Sequence, residues 1–255
     1  MPDAAEPRPV HQPDLSGRSA LVTGSARGLG SGLALSLADC GASVAIHYHT
    51  SGDAAESVAA DARDLGAPAA TTVQGDVTDP EGVDGIFDAA EADLGTVDVL
   101  VNNVGSFAPE HWADISFEDW NRVLDTNLTA TYLTSKRALD GMRDQSWGRI
   151  VNVGYASAEK GLVSAKNFPY FAAKQGVLMF TRMLAADTTE DGITVNAVSP
   201  YVIENSDEFP DDAPRGRWAT FDDLAGVVRF FCDDDSGYIS GQNVEVDGGW
   251  LPEDV

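Results

Sequence analysis

Seven short apolar runs rich in Val and Ile recur along the chain with an amphipathic stretch between each pair. This alternation constrains the fold more than any other feature of the sequence. The runs are Ser19 to Val22, Ser43 to His47, Ala70 to Val73, Val97 to Val101, Arg149 to Val153, Ile193 to Val198 and Asn243 to Val246. Their near-continuous apolar character predicts strands buried on both faces, as in parallel sheets. The stretches Leu29 to Asp39, Ala54 to Leu65, Pro80 to Leu94, Phe117 to Met142, Tyr170 to Asp187 and Phe221 to Phe231 carry helical periodicity. They supply the crossovers that parallel strands require. The chain therefore reads as α/β, a single doubly wound parallel sheet with helices on both faces.

With 43% hydrophobic and 22% charged residues the chain has enough apolar material for a substantial core. One domain is expected over 16–255, preceded by a disordered arm over 1–15. That arm, MPDAAEPRPVHQPDL, is rich in Pro and acids and lacks the apolar core of a signal peptide. No stretch approaches the roughly 18 uncharged apolar residues of a membrane span, so a soluble, cytoplasmic protein is expected. Cys40 and Cys232 close predicted helices among apolar neighbours, without CxxC or His-paired spacing. They read as buried free thiols, and no metal site is expected.

Charge narrows the partners. Forty-one acids against 16 Lys and Arg give a formal net charge of −25, which repels nucleic acid and anionic membranes. The acids lie in every predicted helix and the only lysines are Lys136, Lys160, Lys166 and Lys174, so the whole surface is acidic. A plain solvated surface accounts for this. A sharper reading is a halophilic, high-salt cytosol, where a screening length of about 3 Å at molar salt quenches the self-repulsion.

The first strand is followed by Thr23-Gly24-Ser25-Ala26-Arg27-Gly28-Leu29-Gly30, which opens directly into a helix. Three glycines permit a tight turn, close backbone approach to a pyrophosphate and helix-to-strand contact, while the helix start offers free N–H donors. Glycines also mark ordinary turns, but here the strand before and the helix after supply the context of a dinucleotide-binding Rossmann fold. The second strand ends in His47-Tyr48-His49-Thr50-Ser51 rather than in the acid that usually accepts from the ribose of NAD. With no carboxylate to repel a 2′-phosphate, and with Arg27, His49, Thr50 and Ser51 as donors, NADP(H) is favoured over NAD. Asp76 and Val77 after the third strand, and Asn103, Val104 and Gly105 after the fourth, end strands at the edge where open parallel sheets bind ligands. Either group also suits a plain turn.

Tyr170 and Lys174 are four residues apart at the start of a predicted helix after Pro169, hence on one helical face. A phenol titrates near pH 10 in water, and a nearby ammonium favours its ionised form. A tyrosine and lysine so placed are an acid–base pair in waiting, although the spacing alone is more often a solvated face.

Taken together, TGSARGLG at Thr23, NNVG at Asn102, Asn127 in DTNLTA, YFAAK at Tyr170, SPYVI at Ser199 and SGQNVEVDGG at Ser240 resemble the classical short-chain dehydrogenases/reductases. The likeness is nearest to the 3-oxoacyl-thioester reductase-like group and covers nearly the whole chain. It implies hydride transfer between nicotinamide C4 and a small carbonyl or alcohol substrate. Tyr170 would be the acid or base, Lys174 would lower its pKa and hold cofactor ribose hydroxyls, and Asn127 would hold a relay water. Thr23, Gly24, Ser25, Arg27, Gly28, Leu29 and Gly30 would cradle the dinucleotide. Pro200, Val202 and Ile203 would contact the nicotinamide carboxamide, with Tyr201 where the family has glycine. The family's tetramers, built through the two long helices, imply a homotetramer.

Two departures qualify the likeness. The family places a carbonyl-polarising serine after the fifth strand. Aligning on Gly148 to Val153 puts Gly154 and Tyr155 there, while counting back from Tyr170 lands on Ser157. Ser157 is the first choice of donor and Tyr155 the alternative. The lid segment Tyr201 to Thr220 is short and acidic, a poor match for long acyl or coenzyme A thioesters. Pteridine reductases also lack the serine, so a pterin-like substrate is a second possibility, with Phe107, Trp112 and Trp147 available to stack on a flat ring. A dinucleotide-sensing regulator is the alternative of another class. It is disfavoured because both the tyrosine and the lysine are kept.

Overall fold

The computed structural model describes residues 12–160, 164–206 and 209–250. Seven strands form one sheet: β1 Ser19–Val22, β2 Ser43–Tyr48, β3 Ala70–Gln74, β4 Val99–Asn102, β5 Gly148–Val153, β6 Ile193–Pro200 and β7 Asn243–Val246. They lie in the order β3-β2-β1-β4-β5-β6-β7, and every neighbouring pair is parallel. The helices are α1 Gly28–Asp39, α2 Gly52–Asp64, α3 Pro80–Leu94, α4 Phe117–Leu124, α5 Ala130–Asp144, α6 Phe168–Asp187 and α7 Phe221–Cys232. Every element lies within two residues of the expected boundaries, apart from the α4–α5 stretch.

Two cores flank the sheet. Leu33, Leu37, Val58, Leu224 and Phe231 of α1, α2 and α7 cover one face, and Ile86, Phe87, Met142 and Leu184 of α3, α5 and α6 cover the other. β1, β4, β5 and β6 are buried residue by residue, which is why their sequences carry no polar alternation. Helix starts are fixed locally. Asp79 accepts from the Gly82 amide ahead of Pro80, and Thr220 with Asp223 closes a reciprocal capping box on α7. The strand order reverses between β1 and β4, and the carboxyl ends of these two strands open the crevice where such sheets bind ligands.

Three expectations need correction. The stretch expected as one helix over Phe117 to Met142 is broken by a π-helical segment, Asp125–Thr129. There Thr126 Oγ1 donates to the Arg122 carbonyl and Asn127 Nδ2 to that of Val123, so side chains satisfy the carbonyls at the widened turn. The arm expected over 1–15 ends earlier. Residues 1–11 lie outside the described ones, but Leu15 is buried and its amide donates to the Cys40 carbonyl at 2.8 Å. Trp147 is at the wrong end of the sheet to meet a ligand. It precedes β5, with the guanidinium groups of Arg18 and Arg149 over its ring at 3.7 and 4.3 Å. Cys40 and Cys232 are buried free thiols as expected, burial pushing their pKa values up to about 11 and about 12. No helix among the described residues is long and apolar enough to cross a membrane.

Candidate active site

The ends of β1 and β4 are stitched together by the residues that flank the crevice. Thr23 Oγ1 accepts from the amides of Asn103 at 2.9 Å and Val104 at 3.2 Å, while Asn103 Nδ2 donates to the Thr23 carbonyl at 2.9 Å. Gly24 and Gly28 take φ values of +66° and +60°, open to glycine and strained for most other residues. At Gly30 a side chain would press on the Gly24 carbonyl oxygen and lie 2.6 Å from Asn103 Nδ2. The first turn of α1 holds no acid, and Arg27 at its N-cap makes no capping bond, so the leading amides and the helix dipole are available to an anion. Ser25 is buried behind the loop, its hydroxyl donating to the Val22 carbonyl at 2.7 Å.

Arg27 donates to Ser51 Oγ at 2.5 Å, which brings the loop and the end of β2 together, with His49 and Thr50 exposed beside them. Across β3, Asp76 accepts from the hydroxyl and amide of Thr78, which hold its carboxyl below the usual carboxylate range. Val77 beside it is buried.

Beyond the glycine loop lies an open cleft of about 740 Å³, lined by Leu29, Asn103, Gly105, Asn127, Tyr155, Tyr170, Lys174, Pro200, Val202 and Ile203 among others. Tyr170 is half-buried and ringed edge-on by Tyr155, Phe171 and Phe107 at 5.7, 5.9 and 6.4 Å. Loss of water, and the neighbouring Tyr155 phenol, push its hydroxyl above the ordinary phenol range. Lys174 lies one turn along the same face. Its ammonium donates to the Val153 carbonyl at 2.7 Å and sits 5.7 Å from the Tyr170 ring centre, with burial holding its pKa down to about 8. Burial thus holds the phenol above its ordinary range instead of acidifying it, and the ammonium is turned to a carbonyl.

Asn127 is fully buried in the π-helical turn, its amide nitrogen shared between the Ser106 carbonyl at 2.7 Å and that of Val123 at 2.9 Å. Its Oδ1 has no partner and packs against Gly105, where a Cβ would press on it and lie 3.5 Å from Lys174 Nζ. A buried acceptor without a donor is costly, so the site is built for one more hydrogen-bonding group.

The structure separates the two serine candidates. Ser157 takes φ +65° and is buried, its amide donating to Glu245 Oε1 at 2.7 Å. It is not among the cleft's lining residues, and its amide is tied to Glu245 on β7. Tyr155 does line the cleft, and its phenol is pushed up to about 12 by burial and by Tyr201 nearby. Gly154 leaves no room for a side chain, since a Cβ would press on Ser199 Oγ. Phe107 lines the cleft as expected, whereas Trp112 is exposed against His111.

Sequence reasoning missed two features. Asn205 lines the cleft and rests its amide over Gly28, 2.6 Å from where a Cβ would be; its place just beyond SPYVI was the only signal. Behind the site a buried polar chain runs from Thr134 to Asn102, Asn152 and Thr181, with links of 2.6, 2.9 and 2.8 Å. It ties β4 and β5 to α5 and α6, and an asparagine inside each apolar strand was its only trace in the sequence.

Comparison with known proteins gives this geometry a family. A family model described as enoyl-(acyl carrier protein) reductase matches residues 24–251. The acetoacetyl-CoA reductase of Shinella zoogloeoides is 36% identical over 244 residues, 91% of this chain and 98% of the relative. The 3-oxoacyl-[acyl-carrier-protein] reductase FabG of Haemophilus influenzae is also 36% identical, over 92% of this chain and 98% of its own. Among solved structures, a gluconate 5-dehydrogenase from Burkholderia cenocepacia in complex with NADP and tartrate superposes with a TM-score of 0.85 at 32% identity, covering 92% and 95% of the two chains. The landomycin C-6 ketoreductase LanV with bound NADP and rabelomycin gives 0.85 at 30%, over 94% and 98%. The chain belongs to the enoyl-(acyl carrier protein) reductase family so described, as a classical short-chain dehydrogenase/reductase of the 3-oxoacyl reductase group and an oxidoreductase working between a carbonyl and an alcohol.

Proposed function

We propose that the chain binds NADP(H) along the glycine loop and reduces a small, free carbonyl compound in the adjoining cleft, with Tyr170 as proton donor. The carrying observation is that a water-poor, neutral phenol and a buried lysine line one cleft, which adjoins at Leu29 and Asn103 a glycine cradle that admits no side chain at Gly30. A dinucleotide held in this cradle by the loop and the first turn of α1 would supply a hydride. The chain's own groups do the rest. A phenol held above its ordinary range stays protonated at neutral pH and can release its proton to a developing alkoxide. Lys174, charged below about pH 8, then steadies the phenolate left behind and reaches for ribose hydroxyls. Asn127 Oδ1 accepts from a relay water.

Tyr155 takes the place of the family's serine in this reading. Its phenol stays neutral and can donate to the substrate oxygen from beside Tyr170. Tyr155→Phe is expected to lower kcat about 100-fold, the scale of one lost oxyanion donor, and Ser157→Ala to leave turnover within about twofold, because the Ser157 hydroxyl is buried outside the cleft and has no partner to lose. Steady-state rates of both variants decide the matter; the reverse pattern returns the role to Ser157.

NADP(H) over NAD rests on Arg27 and Ser51, already paired at 2.5 Å where a 2′-phosphate would enter. NADPH oxidation should exceed NADH oxidation, and Arg27→Glu should invert that preference by at least about tenfold, because one charge-assisted contact becomes a like-charge clash. Equal use of both dinucleotides by the native chain would remove the argument. The panel that identifies substrate should set free ketones and quinones against pterins and β-ketothioesters. The aromatic walls of Phe107, Tyr155 and Phe171 favour a flat substrate and keep the pterin-like reading alive. A net charge of −25 opposes anionic thioesters. Binding of dinucleotide with no oxidation by any member would favour a sensing regulator instead.

Assembly and medium complete the proposal. Tyr132 on α5 and Met179 and Met183 on α6 are exposed, apolar groups on the helices that the family's tetramers bury, and they support a homotetramer. The acidic surface supports a high-salt cytosol. Melting temperature should climb as KCl rises from low to molar concentrations; a flat response would sink the halophilic reading.

A further inference from the structure

His47 is a titratable side chain behind the glycine loop that the reaction does not use. It is buried, on β2, and its bonds converge on three strand ends. The Gly24 amide donates to His47 Nδ1 at 2.9 Å, so Nδ1 is the unprotonated acceptor. Nε2 therefore carries the hydrogen and donates to the Gly75 carbonyl at 3.2 Å. The backbone of His47 adds two more ties to the loop: its carbonyl accepts from the Ser25 amide and its amide donates to Ser25 Oγ, both at 2.9 Å. Gly75 in turn donates from its amide to the Tyr48 carbonyl at 3.2 Å and immediately precedes Asp76.

We infer that His47 is a positioning residue for dinucleotide binding, a bracket whose neutral ring sets the distance between the glycine loop and the end of β3, and so the shape of the wall that receives the adenosine half. The inference rests on the dinucleotide reading of the loop. Three features support it. Gly24 holds φ +66°, and the ring nitrogen gives its amide an acceptor in that conformation. No strand carbonyl takes that role, because the β1–β2 ladder ends at Val22 and Ile46. Burial, reinforced by the nearby His49, keeps the imidazole neutral, its pKa pushed down to about 4 against the weaker pulls of Gly75 and Asp76, so the acceptor persists at ordinary pH. An apolar residue of similar bulk would fill the space but leave the Gly24 amide and the Gly75 carbonyl each one bond short.

The test is a fluorescence titration of NADPH and NADH against the full chain and three variants, with melting curves and steady-state kinetics alongside. In His47→Leu the dinucleotide Kd and KM should rise about tenfold or more, the scale of one unmade buried hydrogen bond. Meanwhile kcat at saturating dinucleotide should fall less than about threefold, since the loss is one of ground-state binding. His47→Asn keeps an oxygen near the Nδ1 position and should bind within about threefold of the native chain. His47→Gln reaches toward Gly75 but not Gly24 and should resemble His47→Leu, which covers the case in which the leucine variant does not fold. The inference is overturned if His47→Gln binds like the native chain, if His47→Asn binds as poorly as His47→Gln, or if kcat falls in step with affinity. A native chain that binds neither dinucleotide overturns the reading of the loop itself, a result distinguishable from all of these.

Discussion

Tyr170→Phe is expected to lower the reduction rate by roughly a thousandfold, within the range of about 10² to 10⁴ that a lost general acid accounts for, while dinucleotide binding stays as it was. The ring keeps its place among Tyr155, Phe171 and Phe107, so the walls of the cleft do not move. Lys174 keeps its bond to the Val153 carbonyl, so the variant should melt close to the native protein. The pH dependence follows from the same pair. The phenol, held above its ordinary range, remains a donor through neutral pH, and the ammonium is charged below about 8. Reduction should therefore be steady below that value and decline as pH rises through it, when Lys174 gives up its proton. Lys174→Met should be slow at every pH and lack that decline. A Tyr170→Phe enzyme within tenfold of the native rate would end the assignment.

Gly30→Ala should be nearly as damaging, by another route. Its single added carbon would press on the Gly24 carbonyl and sit 2.6 Å from Asn103 Nδ2, so either the turn or the β1–β4 stitch must give way. Overpacking of this kind costs about 1 to 3 kcal/mol, and dinucleotide titration should show affinity lost beyond the loss in melting temperature. Gly85→Ala is the matched control. Gly85 lies inside α3 with nothing within 4 Å of a Cβ, and alanine there should stabilise by about 0.5 to 1 kcal/mol through helix propensity. If both substitutions shift the melt alike, the close approach at Gly30 is not what shapes the loop.

The residues that were legible in the sequence are those whose signal is local. Apolar runs name the strands because a strand covered on both faces has no wet side, and glycines after the first run name the loop because only they admit its φ values. Tyr170 and Lys174 share a face by helical spacing alone. What escaped depends on partners far along the chain. The π-helical turn at Asn127 follows from side chains bonding carbonyls of the preceding turn, an arrangement that propensity does not encode. Trp147 read as a possible platform for a flat ring from its residue type, although its place ahead of the fifth strand already put it at the end opposite to where open parallel sheets bind ligands. Counting back from Tyr170 points to Ser157 and aligning on the strand points to Tyr155, so the sequence alone gives two answers. What sets their surroundings apart is Glu245, far along the chain on β7, which holds the Ser157 amide.

Gly154 and Ser199 form a lock with two keyholes. A Cβ on the first would press on the hydroxyl of the second, and that hydroxyl is itself bound to Asn243 Oδ1 at 2.7 Å. A serine at position 154 therefore has to turn the Ser199 hydroxyl aside, and with it the bond to Asn243 on β7. Trimming Ser199 to alanine makes the room but gives up that same bond. Any change at position 154 is thus felt at the edge strand of the sheet.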